Sequence, residues 1–316
     1  MKIIHPQKNQ KDIYTATIGF FDGVHSGHCF VAEQLKNIAK SNNTSSLILT
    51  FGTHPRKILQ PDFQPKLLTT LPERLKLLEN TGVDACVVLD FTSDMAKMSA
   101  YDFMKKVLKE QYNVGALLVG YDHRFGQNRR KTFADYVEYG KILGIELTLL
   151  EYFSSNETEQ ISSSSEIRKA LQDGRIEQAN NMLGYDYFFE GKVVDGFKLG
   201  RKIGFPTANL QICDAEKLLP ASGVYAVSVF FDGKTHLGML NIGNRPTVEN
   251  GSLMSIEVHI FDFDRDIYKQ TIEVRIIYKI RNEKKFDTID QLIRQLEEDK
   301  ENVKFKLQTT KNLLLK

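Results

Sequence analysis

Two imidazoles three residues apart, His25 and His28, close the run Gly19-Phe20-Phe21-Asp22-Gly23-Val24-His25-Ser26-Gly27-His28. Upstream, residues 13–21 are rich in β-branched and aromatic side chains and predict a strand; Cys29 to Ala39 carry apolar residues at helical spacing and predict a helix. A phosphate at that helix start meets unpaired N–H groups, the positive end of the dipole and both imidazoles. Gly23 and Gly27 permit the tight turns a phosphate cradle requires. The run lacks the Lys-Ser/Thr of a Walker loop and the three glycines of a dinucleotide fingerprint. As a metal site it is short of ligands, since Asp22 alone does not complete a set. The plainer alternative is a strand-turn-helix whose histidines are solvated or cap the helix.

Three further segments in the first half carry polar and basic groups after a strand or before a helix. They are Thr50-Phe51-Gly52-Thr53-His54-Pro55-Arg56, Val119-Gly120-Tyr121-Asp122-His123-Arg124-Phe125-Gly126-Gln127-Asn128-Arg129, and Ser162-Ser163-Ser164-Ser165-Glu166-Ile167-Arg168. Surface loops commonly hold such residues, and serines are ordinary N-caps. Taken with the histidine turn, they offer hydroxyls, backbone donors and guanidiniums suited to a polyphosphate. In the second half, Gly196 to Leu210 joins a glycine loop to a Pro206-Thr207-Ala208-Asn209 corner, where a hydroxyl and an amide carbonyl are hard oxygen donors fit for Mg²⁺. Asn241 to Thr247 forms a strand-end loop, and Glu257 and His259 share one face of an alternating strand. Glu257 serves as a general base only if that face walls a cleft.

These residues need two scaffolds. From Ile13 to about Leu150, short apolar strands (47–51, 85–89, 115–119, 146–150) alternate with helical segments (71–80, 100–110, 135–144), which predicts a parallel, Rossmann-like α/β sheet. Ligands of such sheets bind at the carboxyl ends of the strands, where the histidine turn and the turns after Phe51 and Val119 fall. After a Ser-rich stretch and a helix over 166–183, alternating strands (188–194, 223–231, 237–242, 255–263, 271–279) with an Asp232-Gly233 hairpin signal predict a small antiparallel β-barrel closed by a C-terminal helix from about Thr288. The boundary is placed near Leu183, giving domains 1–183 and 184–316. A net charge of +2 on 316 residues argues against nucleic acid and polybasic membrane anchoring. With no signal core or membrane-length apolar run, and three scattered cysteines read as reduced thiols, the expectation is a cytoplasmic protein.

The motifs together resemble the bacterial bifunctional riboflavin kinase/FAD synthetases. The histidine run is similar to the family's G-x-F-D-G-V-H-x-G-H, and the next three segments to its T-F-x-P-H-P, G-x-D-x-x-F-G-x-x-R and S-S-T/S-x-I-R. In the second half G-R-x-x-G-F-P-T-A-N, G-V-Y, N-I-G-x-R-P-T and E-x-H follow in the family's order. The resemblance implies an FMN adenylyltransferase followed by a riboflavin kinase, with riboflavin, FMN, FAD, ATP, ADP and pyrophosphate as partners and Mg²⁺ as cofactor. In the adenylyltransferase it implies His25 and His28 at the transition state. Gly19, Phe20, Phe21, Asp22, Gly27, Ser164, Ser165 and Arg168 would contact ATP, with His54, Pro55, Arg56, Asp122 and Arg129 on the FMN side. In the kinase it implies Gly200, Lys202, Gly204, Thr207 and Asn209 for ATP, and Thr207 and Asn209 for the metal. Glu257 would be the base, and Arg281, Glu283 and Phe286 would lie at the flavin. Thr53 departs from the family's first proline, the serine run has one residue too many, and Lys269 stands where the family usually has Gly. Competing expectations are a nucleotidyltransferase for another substrate with an accessory barrel, and a flavin-binding protein without turnover.

Overall fold

A computed structural model describes residues 1–5, 12–60, 62–64, 66–120, 124–127, 131–150, 163–196, 199–246 and 252–313, without the side chains of 199, 244–246, 252–253 and 307–313. By its contacts the chain divides into two compact units, Met1–Ser163 and Ser164–Lys316.

In the first unit, β1 (Lys2–Ile3), β2 (Tyr14–Ile18), β3 (Ser45–Phe51), β4 (Ala85–Leu89), β5 (Val114–Gly120) and β6 (Glu146–Leu150) form one parallel sheet. Their order is β1-β4-β3-β2-β5-β6. The order reverses at β2, with β3 and β4 laid on one side of it and β5 and β6 on the other; in such sheets ligands bind outside the carboxyl ends of the strands at this reversal. The strands read as near-continuous apolar runs because both faces are covered. Along β3, Leu47, Leu49 and Phe51 enter one core and Ile48 the other. The helices are α1 (Ser26–Ser41), α2 (Pro55–Leu59), α3 (Leu71–Asn80), α4 (Ser93–Lys97), α5 (Ala100–Asp102) and α6 (Phe133–Leu143). The helix expected over 100–110 continues from α5 as a π-helical run, Phe103–Gln111, burying Phe103, Met104, Val107 and Leu108.

The second unit begins with α7 (Ser164–Gln172) and α8 (Ile176–Leu183), where one helix over 166–183 is expected from the sequence. Gly174, at φ +73°, breaks it. Then come β7 (Tyr187–Val194), α9 (Leu199–Lys202), β8 (Ala208–Ile212), β9 (Gly223–Phe231), β10 (Lys234–Pro246), β11 (Ser252–Ile260), β12 (Thr271–Arg281) and α10 (Ile289–Leu313). The strands close into an antiparallel barrel in the order β10-β11-β8-β7-β12-β9. Asp232 and Gly233 turn β9 into β10 with φ of +51° and +70°, the type the hairpin signal anticipates. One end of the barrel is covered by α10, whose Ile293, Leu296 and Val303 pack with Phe205, Ala226, Met239, Phe261 and Tyr278.

Contacts draw the division at Ser163/Ser164, earlier than the sequence boundary near Leu183, because the helix pair is bonded to the barrel. Asn180 on α8 donates to the carbonyls of Ile276 and Ile277 at 2.9 and 3.3 Å, where a bulge interrupts β12. Its amide oxygen accepts from Tyr187 N–H at 2.9 Å. Removing that side chain strands backbone groups of both β7 and β12, so Asn180→Ala is expected to destabilise the second unit by about 2 kcal/mol. Scanning calorimetry of the full chain would show one lowered transition; an unchanged thermogram would mean the amide does not hold the pair to the barrel.

Candidate active sites

The first site grows from the carboxyl end of β2. After Ile18 the chain passes through Gly19 and Phe20 into a turn with Phe21 at φ +56° and Val24 at +37°, a strained setting for side-chain-bearing residues. Asp22 holds this turn from within. It is 3% exposed and accepts from Leu68 N–H (3.0 Å), Thr69 N–H (2.9 Å) and the Thr69 hydroxyl (3.1 Å), while Gly23 N–H donates to the same hydroxyl at 3.0 Å. The turn delivers His25 to the N-cap of α1 and His28 to its third helical position. Their rings stack at 3.8 Å and 21°, and the edge of Phe21 meets His28 at 5.1 Å. Two imidazoles thus stand together at the start of a 16-residue helix, where an anion would meet N–H groups and dipole as well. Burial, the neighbouring His25 and Arg74 together hold the His28 pKa well below 6.5, so its ring is neutral at physiological pH.

Arg74, on α3, escaped the sequence reading. It is 1% exposed, donates to the Phe51 carbonyl at the end of β3, and lies 4.2 Å over the Phe20 ring after β2. Burial pushes its pKa down to about 10, which leaves it charged at neutral pH. Only its burial marks it, and burial is not visible in a surface-like Pro-Glu-Arg-Leu run. Phe20 also approaches His54 at 4.6 Å, and His54 caps α2 by accepting from Arg56 N–H. His54, Pro55 and Arg56 therefore stand beside the histidine turn, with Arg56 exposed. Asp122 and Arg129 lie outside the described residues. Ser164, Ser165 and Arg168 open α7, in the second unit, where Ile167, Ala170 and Leu171 are buried beneath them.

In the barrel, register does the positioning. Asn209 on β8 pairs with Glu257 on β11, and Glu257 with Asn241 on β10. The Thr207 hydroxyl donates to Glu257 at 3.2 Å, and the Ser255 hydroxyl at 2.9 Å. A cavity of about 260 Å³ is lined by Glu257, His259, Phe205, Arg281, Glu283 and Phe286, with Leu292 and Leu296 from α10. A second, of about 480 Å³, is walled by Arg201, Pro206, Phe263, Arg265 and Tyr268. Thr207 lines both. Gly200 is required by close approach, for a Cβ there would sit 2.2 Å from the Phe205 carbonyl oxygen. Gly196 leaves room for Asn209, whose amide a Cβ would meet at 2.0 Å. Hydroxyl and amide oxygens set beside a carboxylate are the donor chemistry Mg²⁺ takes when phosphates supply its other ligands. Lys202 and Gly204 are exposed at the end of α9 and just after it. Arg281 does not reach freely into the cavity: it is bound two-pronged to Asp299 on α10, at 2.8 and 2.9 Å, with Asp299 1% exposed. Its guanidinium lies 5.8 Å over Phe286. Of the Asn241–Thr247 loop, Thr247 and the side chains of 244–246 are outside the described residues, as are Phe197 and Lys198.

A doubly wound sheet with paired imidazoles at the helix start beyond its reversal point, followed by a barrel with a carboxylate on one cavity and its Thr207 partner on two, fits a two-site nucleotide-using transferase. The chain matches the FAD synthetase family over residues 7–165 and the riboflavin kinase family over residues 183–307. It is 37% identical to the bifunctional riboflavin kinase/FMN adenylyltransferase of Listeria monocytogenes, covering 91% of this chain and 90% of that one. With the same enzyme of Bacillus subtilis it shares 36% identity over 95% of each chain. A crystal structure described as a macrolide-efflux protein of Streptococcus pneumoniae superposes with a TM-score of 0.84 at 31% identity, over 96% of this chain and 98% of that one. Among the described residues of this chain no helix is long and apolar enough to cross a membrane. The chain belongs to the bifunctional riboflavin kinase/FMN adenylyltransferase family.

The depressed His28 pKa carries a stability signature. In the unfolded chain the ring binds a proton near pH 6.5; in the folded chain it does so only at much lower pH. The contribution is therefore whole above about pH 6.5 and is lost as the pH falls below it toward the folded value. Urea titrations of the first unit at about pH 7.5 and about pH 5.5 should show a smaller loss for His28→Gln than for the parent. Equal losses would assign the proton elsewhere.

Proposed function

We propose that the barrel phosphorylates riboflavin to FMN and that the parallel-sheet unit adenylylates FMN to FAD, each at the residues just described. The observation that carries the kinase assignment is the Thr207–Glu257 hydrogen bond at the meeting of two cavities. Glu257 stands where a hydroxyl entering the 260 Å³ cavity would lose its proton as it attacks the γ-phosphorus of ATP, with ADP leaving. Aromatic Phe205 and Phe286 suit the flavin ring, and Arg281, braced by Asp299, acts as a fixed wall there. The larger cavity suits ATP, with Phe263 and Tyr268 for the base and Arg201 and Arg265 for phosphate charge. Thr207 and Asn209 would hold Mg²⁺, which supplies neutralisation of the phosphate charge.

In the first unit the FMN phosphate attacks the α-phosphorus of ATP and pyrophosphate leaves. No covalent intermediate is needed, so the unit works by alignment and charge stabilisation. The stacked His25 and His28 at the α1 N-terminus support that role. Asp22 contributes by shaping the turn, since its carboxylate is spent on Leu68 and Thr69. For Ser164, Ser165 and Arg168 at ATP, and Asp122 and Arg129 at FMN, the support is the sequence motifs. Three unpaired cysteines, Cys29, Cys86 and Cys213, support a reducing, cytoplasmic setting.

Chromatography of a reaction with riboflavin, ATP and Mg²⁺ should show FMN and then FAD; neither product would reject both assignments, and FMN alone would reject the first unit's. Glu257→Gln should lower kinase turnover by about 10²- to 10⁴-fold, the usual worth of a general base, while FMN supplied directly is still converted to FAD. Loss of both activities in a folded variant would refute separate sites. Gly196→Ala should push the Asn209 amide aside and raise the Mg²⁺ concentration needed for half-maximal kinase rate, leaving FAD formation unaffected; an unchanged Mg²⁺ dependence would remove Asn209 from the metal.

A further inference from the structure

His259 stands two residues beyond Glu257 on β11, so their side chains share a face, and both line the 260 Å³ cavity. The imidazole is 7% exposed. Its Nδ1 lies 2.7 Å from the carbonyl oxygen of Pro206. A carbonyl has no proton to give, so Nδ1 carries the proton and donates it. Burial holds the ring's pKa below its ordinary value against the pull of that bond, Lys300 acts in the same direction, and Asp262 opposes it weakly. The ring is neutral, which leaves Nε2 with a bare lone pair.

That atom is buried and has no hydrogen-bond partner among the described residues. Phe205 and Phe261, with ring centroids 5.2 and 5.6 Å away, fix the plane of the imidazole. A buried acceptor left without a donor is costly, and native structures keep one where something else supplies the donor. The groups set directly beside it, Phe205 and the cross-strand Met239, are apolar, and the cavity's own donors, Thr207, Asn241, Arg281 and Lys284, leave it unbonded, so a ligand entering the cavity is placed to supply the donor. Riboflavin carries a single ring N–H but a secondary hydroxyl on each of the three ribityl carbons that precede the reacting terminal one. Two residues of strand separate His259 from Glu257 by about 7 Å, the distance from a terminal hydroxyl to one a few carbons along the same chain.

Given the kinase reading, we propose that His259 is a substrate-binding residue whose Nε2 accepts a hydrogen bond from one secondary hydroxyl of the ribityl chain while Glu257 receives the terminal one. The Pro206 bond sets the tautomer that makes this possible. It also joins the imidazole to the Pro206-Thr207 corner, so the side chain that reads the polyol braces the residue beside the phosphates. His259 thereby selects flavins with an intact polyol.

The test uses the full-length chain and two variants. His259→Asn keeps a donor near the Nδ1 position for Pro206 and removes the Nε2 acceptor; His259→Leu removes both. FMN formation is measured with riboflavin, and phosphorylation with its 2′-, 3′- and 4′-deoxy analogues. Calorimetry and FAD formation from supplied FMN report folding. His259→Asn should raise the riboflavin KM by about tenfold, the worth of one neutral hydrogen bond, with the ATP KM unchanged. For one deoxy analogue, parent and His259→Asn should have the same KM, because the hydroxyl that distinguishes them is gone. An unchanged riboflavin KM in His259→Asn, or a loss equal across all four flavins, overturns the contact and leaves only a bracing role. If His259→Leu fails to fold, the His259→Asn comparison stands alone. A parent enzyme that makes no FMN overturns the kinase reading itself.

Discussion

The Asp22 carboxylate sets the shape of the first site. Phe21 and Val24 occupy the left-handed region, each at a cost of about 1–3 kcal/mol. Against this stand three hydrogen bonds to a buried carboxylate, each worth about 1.5–3 kcal/mol net. The bonds, at about 4.5–9 kcal/mol together, offset a strain of about 2–6 kcal/mol, so the turn keeps its form only while Leu68 and Thr69 stay in place. They stay because Thr70, next in sequence, caps α3 in a reciprocal capping box with Glu73. One turn further, Arg74 ties the same helix to the ends of β2 and β3 through Phe20 and Phe51. The stacked histidines thus depend on a segment more than forty residues downstream that bears none of the chemistry.

The barrel reaches the same end by pairing. Asn209, Glu257 and Asn241 lie in one row across β8, β11 and β10. A slip of one residue in β11 would turn Glu257 and His259 away from the cavity and bring Val258 and Ile260 into it, so the register that closes the barrel also aims that carboxylate. The Arg281–Asp299 pair adds a second fixed point. A buried ion pair contributes little net stability once desolvation is counted, and its value here is geometric: it keeps α10 seated with Leu292 and Leu296 on the cavity.

Much of this was legible in the residues. Apolar alternation marked β2 to β6 and most barrel strands, and motif spacing marked His25, His28, Thr207, Asn209 and Glu257. What escaped has physical reasons. Strand β8 is five residues, Ala-Asn-Leu-Gln-Ile, with poor β-formers and a proline just before it; its partners make it a strand. Strand β1 is two residues long. The pairing of α7 and α8 with the barrel rests on Asn180 filling a bulge in β12, and nothing local in sequence announces a bulge. Arg74 owes its place to burial and to partners distant in sequence, and the bond that fixes the His259 ring, to Pro206, likewise joins residues far apart in the chain. A motif can name a residue, but only packing shows that Arg281 is braced by Asp299.

Lys269 shows how far a departure in sequence can leave a site intact. The residue sits at φ +67°, a conformation glycine adopts freely and that costs a side-chain-bearing residue about 1–2 kcal/mol. Lysine nonetheless keeps the turn a glycine would make, because two backbone bonds define it: Lys269 N–H to the Val193 carbonyl at 2.9 Å and Gln270 N–H to that of Ile267 at 3.2 Å. Neither involves the side chain. The walls that this turn presents to the larger cavity, Ile267 and Tyr268, precede the strained residue and are held by the same bonds. The cost of the substitution therefore falls on the stability of the barrel, while the shape of the cavity is set by backbone groups that any residue with a backbone N–H would supply.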